Sequence, residues 1–497
     1  MLTIKANSKR AKIEGDISRE HIDFIDLATS AYVKSYQFSS LFRQKRKDGS
    51  RVWDGKVHLL SRTTNSFPTG VLDIVCDVLD KCKLPYQIEY DISMMLSGIP
   101  CVVPDKFGPY ILYDYQKEAI QAFFSDARIL PCRGIIKIAT GGGKSLIAAA
   151  ISKLLKVPTL VLVHGKKLVR QNYETFQKVF EGEEDLVGIV DADNWSPSLV
   201  TIASVDTLYS RLTSGSLNNE EDGILDVKLL IADECHRATS KSFADIIKAA
   251  DPLMRLGLSG TPNKKEDDRD LLLHSLTGKI IYTMSVPELK EKDTISKAHL
   301  VCVTLSKPKQ DNLEWPEAFE QCVVNNPYRH KLIAELVRQR FEDDKTILVL
   351  AGNSLALAKN IYTYISAVIP KRQIKLVNGL SKNEVVDKAF AQLQAKKISV
   401  IVTTTIADEG VDIPAVNGLF SVGGGASFTR TVQRVGRSLR KKADGSAAEI
   451  VDIMDTTNVY LKRHSLKRLT YYEEEQLFDS VTMLKAHDIL PEELHEG

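Results

Sequence analysis

The string Ile138-Ala139-Thr140-Gly141-Gly142-Gly143-Lys144-Ser145 combines what a bound polyphosphate needs. Glycines at 141, 142 and 143 let the backbone come close to an anion. A helix opening at the lysine turns its first N–H groups toward that anion, and Lys144 adds a flexible cation. Thr140 and Ser145 place hydroxyls at the two ends of the loop, with Ser145 a candidate Mg²⁺ ligand. Farther along, Leu229-Leu230-Ile231-Ala232 runs into Asp233-Glu234-Cys235-His236, two acids at the end of an apolar strand. There Asp233 suits a direct or water-mediated metal contact, and Glu234 suits the base that orients an attacking water. His236, a lone histidine, could equally satisfy a local hydrogen bond. Leu258-Ser259-Gly260-Thr261-Pro262 closes another strand with short hydroxylated residues and, alone, reads as a turn. Near the C-terminal end, Gln433-Arg434-Val435-Gly436-Arg437-Ser438-Leu439-Arg440 sets three arginines at i, i+3 and i+6, one face of a helix. Arg437 and Arg440, with Gln433 beside them, are candidate fingers on a γ-phosphate. Each string alone has a plain alternative, whether a glycine turn, a solvated acidic strand end or a solvated basic helix. Together they point to hydrolysis of a nucleoside triphosphate, with ATP and Mg²⁺ as the expected cofactors.

Such groups must be carried on strand ends and helix starts. Strand-like runs at Gly134–Ala139, Thr159–Val163, Val200–Ala203, Lys228–Ala232 and Met254–Leu258 are interleaved with helical stretches such as Lys144–Leu155 and Leu168–Val179. Short buried strands alternating with helices predict a parallel sheet covered on both faces. The pattern weakens between about 263 and 325, which reads as a linker, and restarts at Asn326-Pro327, a capping amide followed by a first-turn proline. Strand candidates Thr346–Leu350, Ile374–Val377, Ile398–Val402 and Glu449–Ile453 follow. The expected organisation is a small α+β domain over 1–100, an ATP-binding α/β unit over 101–290, a second over 291–457 and a helical extension over 458–497.

The first hundred residues contain a different kind of signal. Phe42 to Leu60 reads as a β-hairpin turning at Asp48-Gly49. Residues 41–60 carry six basic side chains (Arg43, Lys45, Arg46, Lys47, Arg51, Lys56) and two acidic ones, in a chain of net charge +2. A salt-sensitive phosphate clamp is the functional reading, against an exposed hairpin kept soluble by lysines. Trp53 is expected to anchor the inner face. With 497 residues, 43% of them hydrophobic, the chain has material for several cores. Seven scattered cysteines with no paired spacing argue against a disulfide framework or a zinc site. No apolar run approaches a membrane span, and residues 1–10 lack the apolar core of a secretory signal.

The ordered set resembles the superfamily 2 helicases over roughly residues 110–455. Its members are Leu112-Tyr113-Asp114-Tyr115-Gln116, the phosphate loop, Val163 to Gln171, the Asp-Glu-Cys-His box, Ser-Gly-Thr, Val402 to Pro414 and Gln433 to Arg440. The resemblance implies two tandem RecA-like domains, adenine contact at Gln116, nucleotide contacts at Gly410 and Asp412, and nucleic-acid backbone contacts at Gly165, Lys166, Ser204, Thr404 and Thr405. One departure stands at the glutamine motif, where Tyr113-Asp114 replaces the family's Arg-Pro. Phe42-Arg43, Trp53-Asp54-Gly55 and Phe67-Pro68-Thr69-Gly70 resemble the small nucleic-acid-binding domain that precedes the motor in phage branch-migration helicases. That likeness implies a monomeric cytoplasmic enzyme, of a bacterium or a phage-infected host, acting on forked or branched DNA through fork regression and Holliday-junction migration. An RNA helicase, the motor of a restriction or remodelling complex, and a non-hydrolysing ATP-gated clamp are the alternatives.

Overall fold

The computed structural model describes residues 1–33, 36–46, 48–91, 102–125, 132–217, 223–261, 269–307, 309–404, 416–425 and 445–490. The chain divides into two compact units, one of residues 1–138 and 143–284, the other of residues 285–497 grouped with the short loop 139–142.

Among the described residues the first unit holds two larger sheets and two two-stranded ones. Of the larger two, the smaller has strand order Ser66–Pro68, Arg10–Glu14, Leu2–Ala6, Tyr86–Tyr90. Alternation sets Leu2, Ile4 and Ala6 on one face, where they pack with Ile25 of the Arg19–Ala28 helix and with Leu72, Val75 and Leu79 of the Leu72–Lys81 helix. The larger is eight-stranded, in the order Trp195–Ser196, Val187–Val190, Val200–Ser204, Thr159–Val163, Leu229–Asp233, Met254–Ser259, Arg133–Ile138, Ile280–Met284. Its pairs are parallel except the first. Thr159–Val163 and Val200–Ser204 are buried along their whole length, as strands covered on both faces must be.

Two buried arginines at the N-terminal ends of motor strands hold the small sheet against the large one. Arg133 and Arg255 both donate to the Ser8 carbonyl, at 2.7 and 3.4 Å. Asp73 meets His274 at 3.1 Å, and Gly70 lies so close to the 274–275 backbone that a Cβ there would sit 2.4 Å from the Ser275 carbonyl oxygen. The catalytic strings occupy the opposite, C-terminal edge of the sheet.

The second unit is a seven-stranded, wholly parallel sheet in the order Ile374–Val377, Val400–Thr403, Ile347–Leu350, Gly418–Ser421, Ala448–Asp455, Ala298–Leu305, Ser480–Lys485. Asn326 caps the Pro327–Glu342 helix as its sequence implied, accepting from Arg329 N–H at 3.0 Å. Two buried ion pairs lie beneath this sheet's C-terminal edge. Arg329 pairs with Asp455 (2.9 Å) and donates to the Val422 carbonyl (3.1 Å). Arg468 grips Asp452 through two hydrogen bonds (2.8 and 2.7 Å) and donates to the Gly425 carbonyl (3.0 Å).

Three expectations are corrected. The stretch 263–325 is no simple linker, because Ile280–Met284 is an edge strand of the first sheet and Ala298–Leu305 lies inside the second. Residues 458–497 are not only helical: after the Val459–Glu474 helix, Ser480–Lys485 adds an edge strand beside Ala298–Leu305. The Phe42–Leu60 hairpin is reduced to a tight turn at Asp48-Gly49 and one Lys45–Arg51 bridge. Residues 40–43 are helical, and Lys56–His58 pairs instead with Ser30–Tyr32.

Among the described residues, no helix is long and apolar enough to cross a membrane. The six described cysteines are free thiols.

Candidate nucleotide site and nucleic-acid surface

Register brings the first unit's chemistry to one edge. Asp233 is level with Leu258 of the neighbouring strand, and Leu258 is level with Ile136, two residues before the glycine loop. Loops leaving adjacent parallel strands at the same end converge, which is where open α/β sheets bind ligands.

Gly143 caps the Lys144–Leu155 helix in the left-handed region (φ 78°), and Gly141 also has positive φ (93°). Both conformations favour glycine. Lys144 donates to the Ile138 carbonyl at 3.0 Å. Gln116, 3% exposed, accepts from Tyr113 N–H at 3.0 Å. Its Nε2 lies where a Gly143 side chain would begin, 2.4 Å from an ideal Cβ. The glutamine motif therefore touches the helix start, and a side chain at 143 would strain the backbone and displace Gln116.

Asp233 is buried, and its carboxyl is pushed up to about 6 by burial and by the charge of Glu234, against the opposing pull of Lys144. It accepts from Glu234 N–H at 3.0 Å and faces Asn172 Nδ2 at 3.4 Å. Asn172 is a neighbour of the site that the sequence reading missed. The available signal was a lone amide on the stripe Val169, Asn172, Phe176, Val179, the buried face of the Lys166–Val179 helix. Glu234 stands at φ 48°, a conformation costly outside glycine and frequent at functional sites.

The Ser259 hydroxyl is a junction: it donates to Glu234 Oε2 (3.4 Å), meets His236 Nδ1 (3.2 Å) and accepts from Thr261 N–H (3.1 Å). His236 also approaches Glu234 Oε2 at 3.4 Å. The Ser-Gly-Thr string is thus more than a turn, since it is hydrogen-bonded to the carboxylate proposed to orient water. Beneath this cluster Cys235 is fully buried, and burial raises its thiol pKa well above the ordinary value, so it packs as an apolar group.

The remaining candidates divide. Gly165 caps the Lys166–Val179 helix at φ 81° with open space around it, while Lys166 is ion-paired with Asp193. Ser204 is buried and caps the Val205–Ser214 helix through Thr207 N–H at 3.5 Å. Thr404 is buried in the second unit at the end of the Val400–Thr403 strand. Arg43, Lys45, Arg46, Arg51 and Lys56 cluster in the small module between residues 30 and 58. Trp53 is half-buried, with its Nε1–H tied to the Lys56 carbonyl at 2.7 Å, a structural role as expected. Lys47, Thr405, Gly410, Asp412, Gln433, Arg437 and Arg440 lie outside the described residues.

The profile of the type III restriction enzyme res subunit matches residues 109–264, and that of the helicase conserved C-terminal domain matches residues 329–442. The chain is a superfamily 2 helicase, an ATP-dependent nucleoside-triphosphate hydrolase with two RecA-like domains behind a small α+β domain. It is 26% identical over 395 residues to the DNA 3'-5' translocase XPB2 of Sulfurisphaera tokodaii, covering 72% of this chain and 85% of that protein. Crystalline T4 UvsW aligns over 98% of this chain and 99% of its own, at 17% identity and TM-score 0.45. A fragment of a putative HsdR subunit of a type I restriction enzyme from Vibrio vulnificus YJ016 shares the fold at TM-score 0.56 and 16% identity, over 77% of this chain and 70% of that one.

Proposed function

We propose that this helicase is a DNA translocase that remodels forked or branched DNA. What carries the reading is the joining of Gln116, Gly143, Lys144, Asp233, Glu234, His236 and Ser259 at one sheet edge, in a chain whose amino-terminal module is rich in cations. The XPB2 relative is named a DNA 3'-5' translocase, which favours DNA over RNA and tracking along a polymer over simple binding.

In the proposed cycle the Gly141–Gly143 loop and the start of the Lys144–Leu155 helix direct N–H groups at the phosphates, and Lys144 exchanges its contact with the Ile138 carbonyl for the β/γ-phosphates. Gln116 reads the adenine edge. Glu234, held by Ser259, orients the water that attacks the γ-phosphorus. Asp233 and Ser145 would hold Mg²⁺. The donor set fits, because the ionised form of a carboxyl raised by burial and then by the neighbouring Glu234 is stabilised by a cation. Among the described residues no group of three or more His, Cys, Asp or Glu side chains could hold a metal. Gln433, Arg437 and Arg440 are assigned to the developing charge on the γ-phosphate, and Gly410 and Asp412 to the nucleotide. Gly165, Lys166, Ser204, Thr404 and Thr405 are assigned to the polymer backbone, for which Lys166 would have to leave Asp193.

The test is steady-state ATP hydrolysis with no polymer, single-stranded DNA, duplex DNA, a four-way junction and single-stranded RNA. Strongest stimulation by forks or junctions is expected. Equal stimulation by RNA would overturn the DNA assignment, and indifference to branching would overturn the remodelling one.

A further inference from the structure

Between residues 30 and 58 the chain builds an aromatic ladder. Tyr32 stacks on Tyr36 with ring centroids 4.8 Å apart, and Tyr36 meets Phe42 edge to face at 4.7 Å. Gly55 presses against this ladder so closely that a Cβ would lie 2.4 Å from the Tyr36 ring. Cations cap both ends: Arg51 lies 3.7 Å over Phe42, and Lys56 lies 4.8 Å over Tyr32. The ladder is internally satisfied and forms the scaffold.

Phe38 is not part of it. This ring sits in the Tyr36–Phe38 turn, 72% exposed, with the Arg43 guanidinium 6.0 Å from its centroid. Arg43 is the cation beside it; Lys45, Arg46, Arg51 and Lys56 belong to the same small module, where Arg43 and Arg46 donate to the Gln37 and Val52 carbonyls, and none of these five forms an ion pair among the described residues. The two local acids are engaged elsewhere, Asp48 with Ser50 and Asp54 with His58. An exposed phenyl ring in a module of cations that have no carboxylate partner among the described residues is complementary to one class of ligand. Such a ligand is a polyanion that also presents aromatic faces. A duplex hides its base faces in the stack, whereas a single strand offers them.

We propose that Phe38 is the stacking residue of a single-strand-binding face, with Arg43, Lys45 and Arg46 as its phosphate contacts and the Tyr32–Tyr36–Phe42 ladder as its support. Trp53, which the sequence places on the inner face, is half-buried and tied to the Lys56 carbonyl, so Phe38 is the more exposed ring. The proposal rests on the DNA reading above and adds which strand state this module takes. It would hold an unpaired strand as the motor advances.

The test uses the full-length chain and a fluorescein-labelled oligothymidine of about 16 nucleotides, at the upper end of single-strand site sizes. Anisotropy titrations over a salt series compare wild type, Phe38→Ala, Phe38→Trp and Lys45→Gln. Phe38→Ala is expected to weaken binding about five- to 150-fold, the fold-change of losing one stacked base. Its salt dependence and melting temperature should stay those of wild type, and Phe38→Trp should retain affinity. Lys45→Gln is expected to lower the slope of log K against log salt by about 0.7. Wild-type affinity in Phe38→Ala, an equal loss on blunt duplex, or competition by polyglutamate as effective as by unlabelled oligothymidine would each overturn the assignment. ATP hydrolysis measured on the same samples separates the two levels. If no DNA stimulates the wild type, the DNA reading fails; if DNA stimulates it and Phe38→Ala binds normally, only the stacking assignment fails.

Discussion

Replacing Gly143 with alanine separates two roles of one residue. The position holds φ 78° before any ligand arrives, so the added Cβ costs about 1–2 kcal/mol of folding stability. That strain acts on the folded protein and not on nucleotide affinity. The second effect is steric. A Cβ would lie 2.4 Å from Gln116 Nε2, about 1 Å inside ordinary contact. Because the contacting atom ends a flexible side chain, Gln116 gives way, and its bond from Tyr113 N–H (3.0 Å) is lost or bent. A displaced Gln116 cannot read adenine. Two hydrogen bonds at about 0.5–1.5 kcal/mol each predict an ATP KM raised about five- to 150-fold. The discriminating assay is the ratio of ATP to GTP turnover for wild type, Gly143→Ala, Gln116→Ala and the double variant. The wild type should prefer ATP, Gly143→Ala should lose that preference, and the double variant should discriminate no worse than Gln116→Ala alone, the non-additivity of residues in contact. A Gly143→Ala enzyme that keeps the wild-type preference would refute the coupling, whatever happened to its melting temperature.

Three further expectations follow from the same geometry. Glu234→Gln and Lys144→Ala should each abolish hydrolysis while DNA binding persists, read by a phosphate-release assay beside anisotropy; loss of both functions together would mean a folding defect instead. Asp452→Asn removes the counter-charge of the buried Arg468 and should destabilise the second unit by about 3–5 kcal/mol in urea unfolding, whereas replacing both partners with leucine should cost much less; equal losses would contradict the reading. In the small domain, burial lowers the His58 pKa, but the hydrogen bonds and charges of Asp26 and Asp54 outweigh it, and the net shift is upward. A raised folded-state pKa gives stability that is fully present below the unfolded value of about 6.5 and is lost as pH rises through the folded value. The melting-temperature gap between wild type and His58→Gln should therefore shrink as pH rises above the unfolded value of about 6.5; a constant gap would exclude this linkage.

The parts legible in the sequence were those whose signal is local. A glycine loop followed by a helix, or acids ending an apolar strand, are written within a dozen residues, so the Lys144–Leu155 helix and the Thr159–Val163 and Ile374–Val377 strands stand where their patterns put them. The order of the motifs was enough to indicate the motor. Pairing is not local, and there the tertiary structure decided. Lys56–His58 suits a hairpin with its own neighbours but pairs with Ser30–Tyr32, and Ala298–Leu305 lies between strands that follow it by about 150 and 180 residues. Charged flanks made Ile280–Met284 and Ala298–Leu305 resemble linker, because hydrogen-bond partners far along the chain leave no periodic trace nearby. The same holds for polar groups: Asn172 facing Asp233, Ser259 joining Glu234 to His236, and Gln116 against Gly143 become neighbours only once parallel strands align their ends. Residue types fixed which chemistry was available. Register and burial fixed which of those residues become neighbours, and left Phe38 more exposed than the half-buried Trp53.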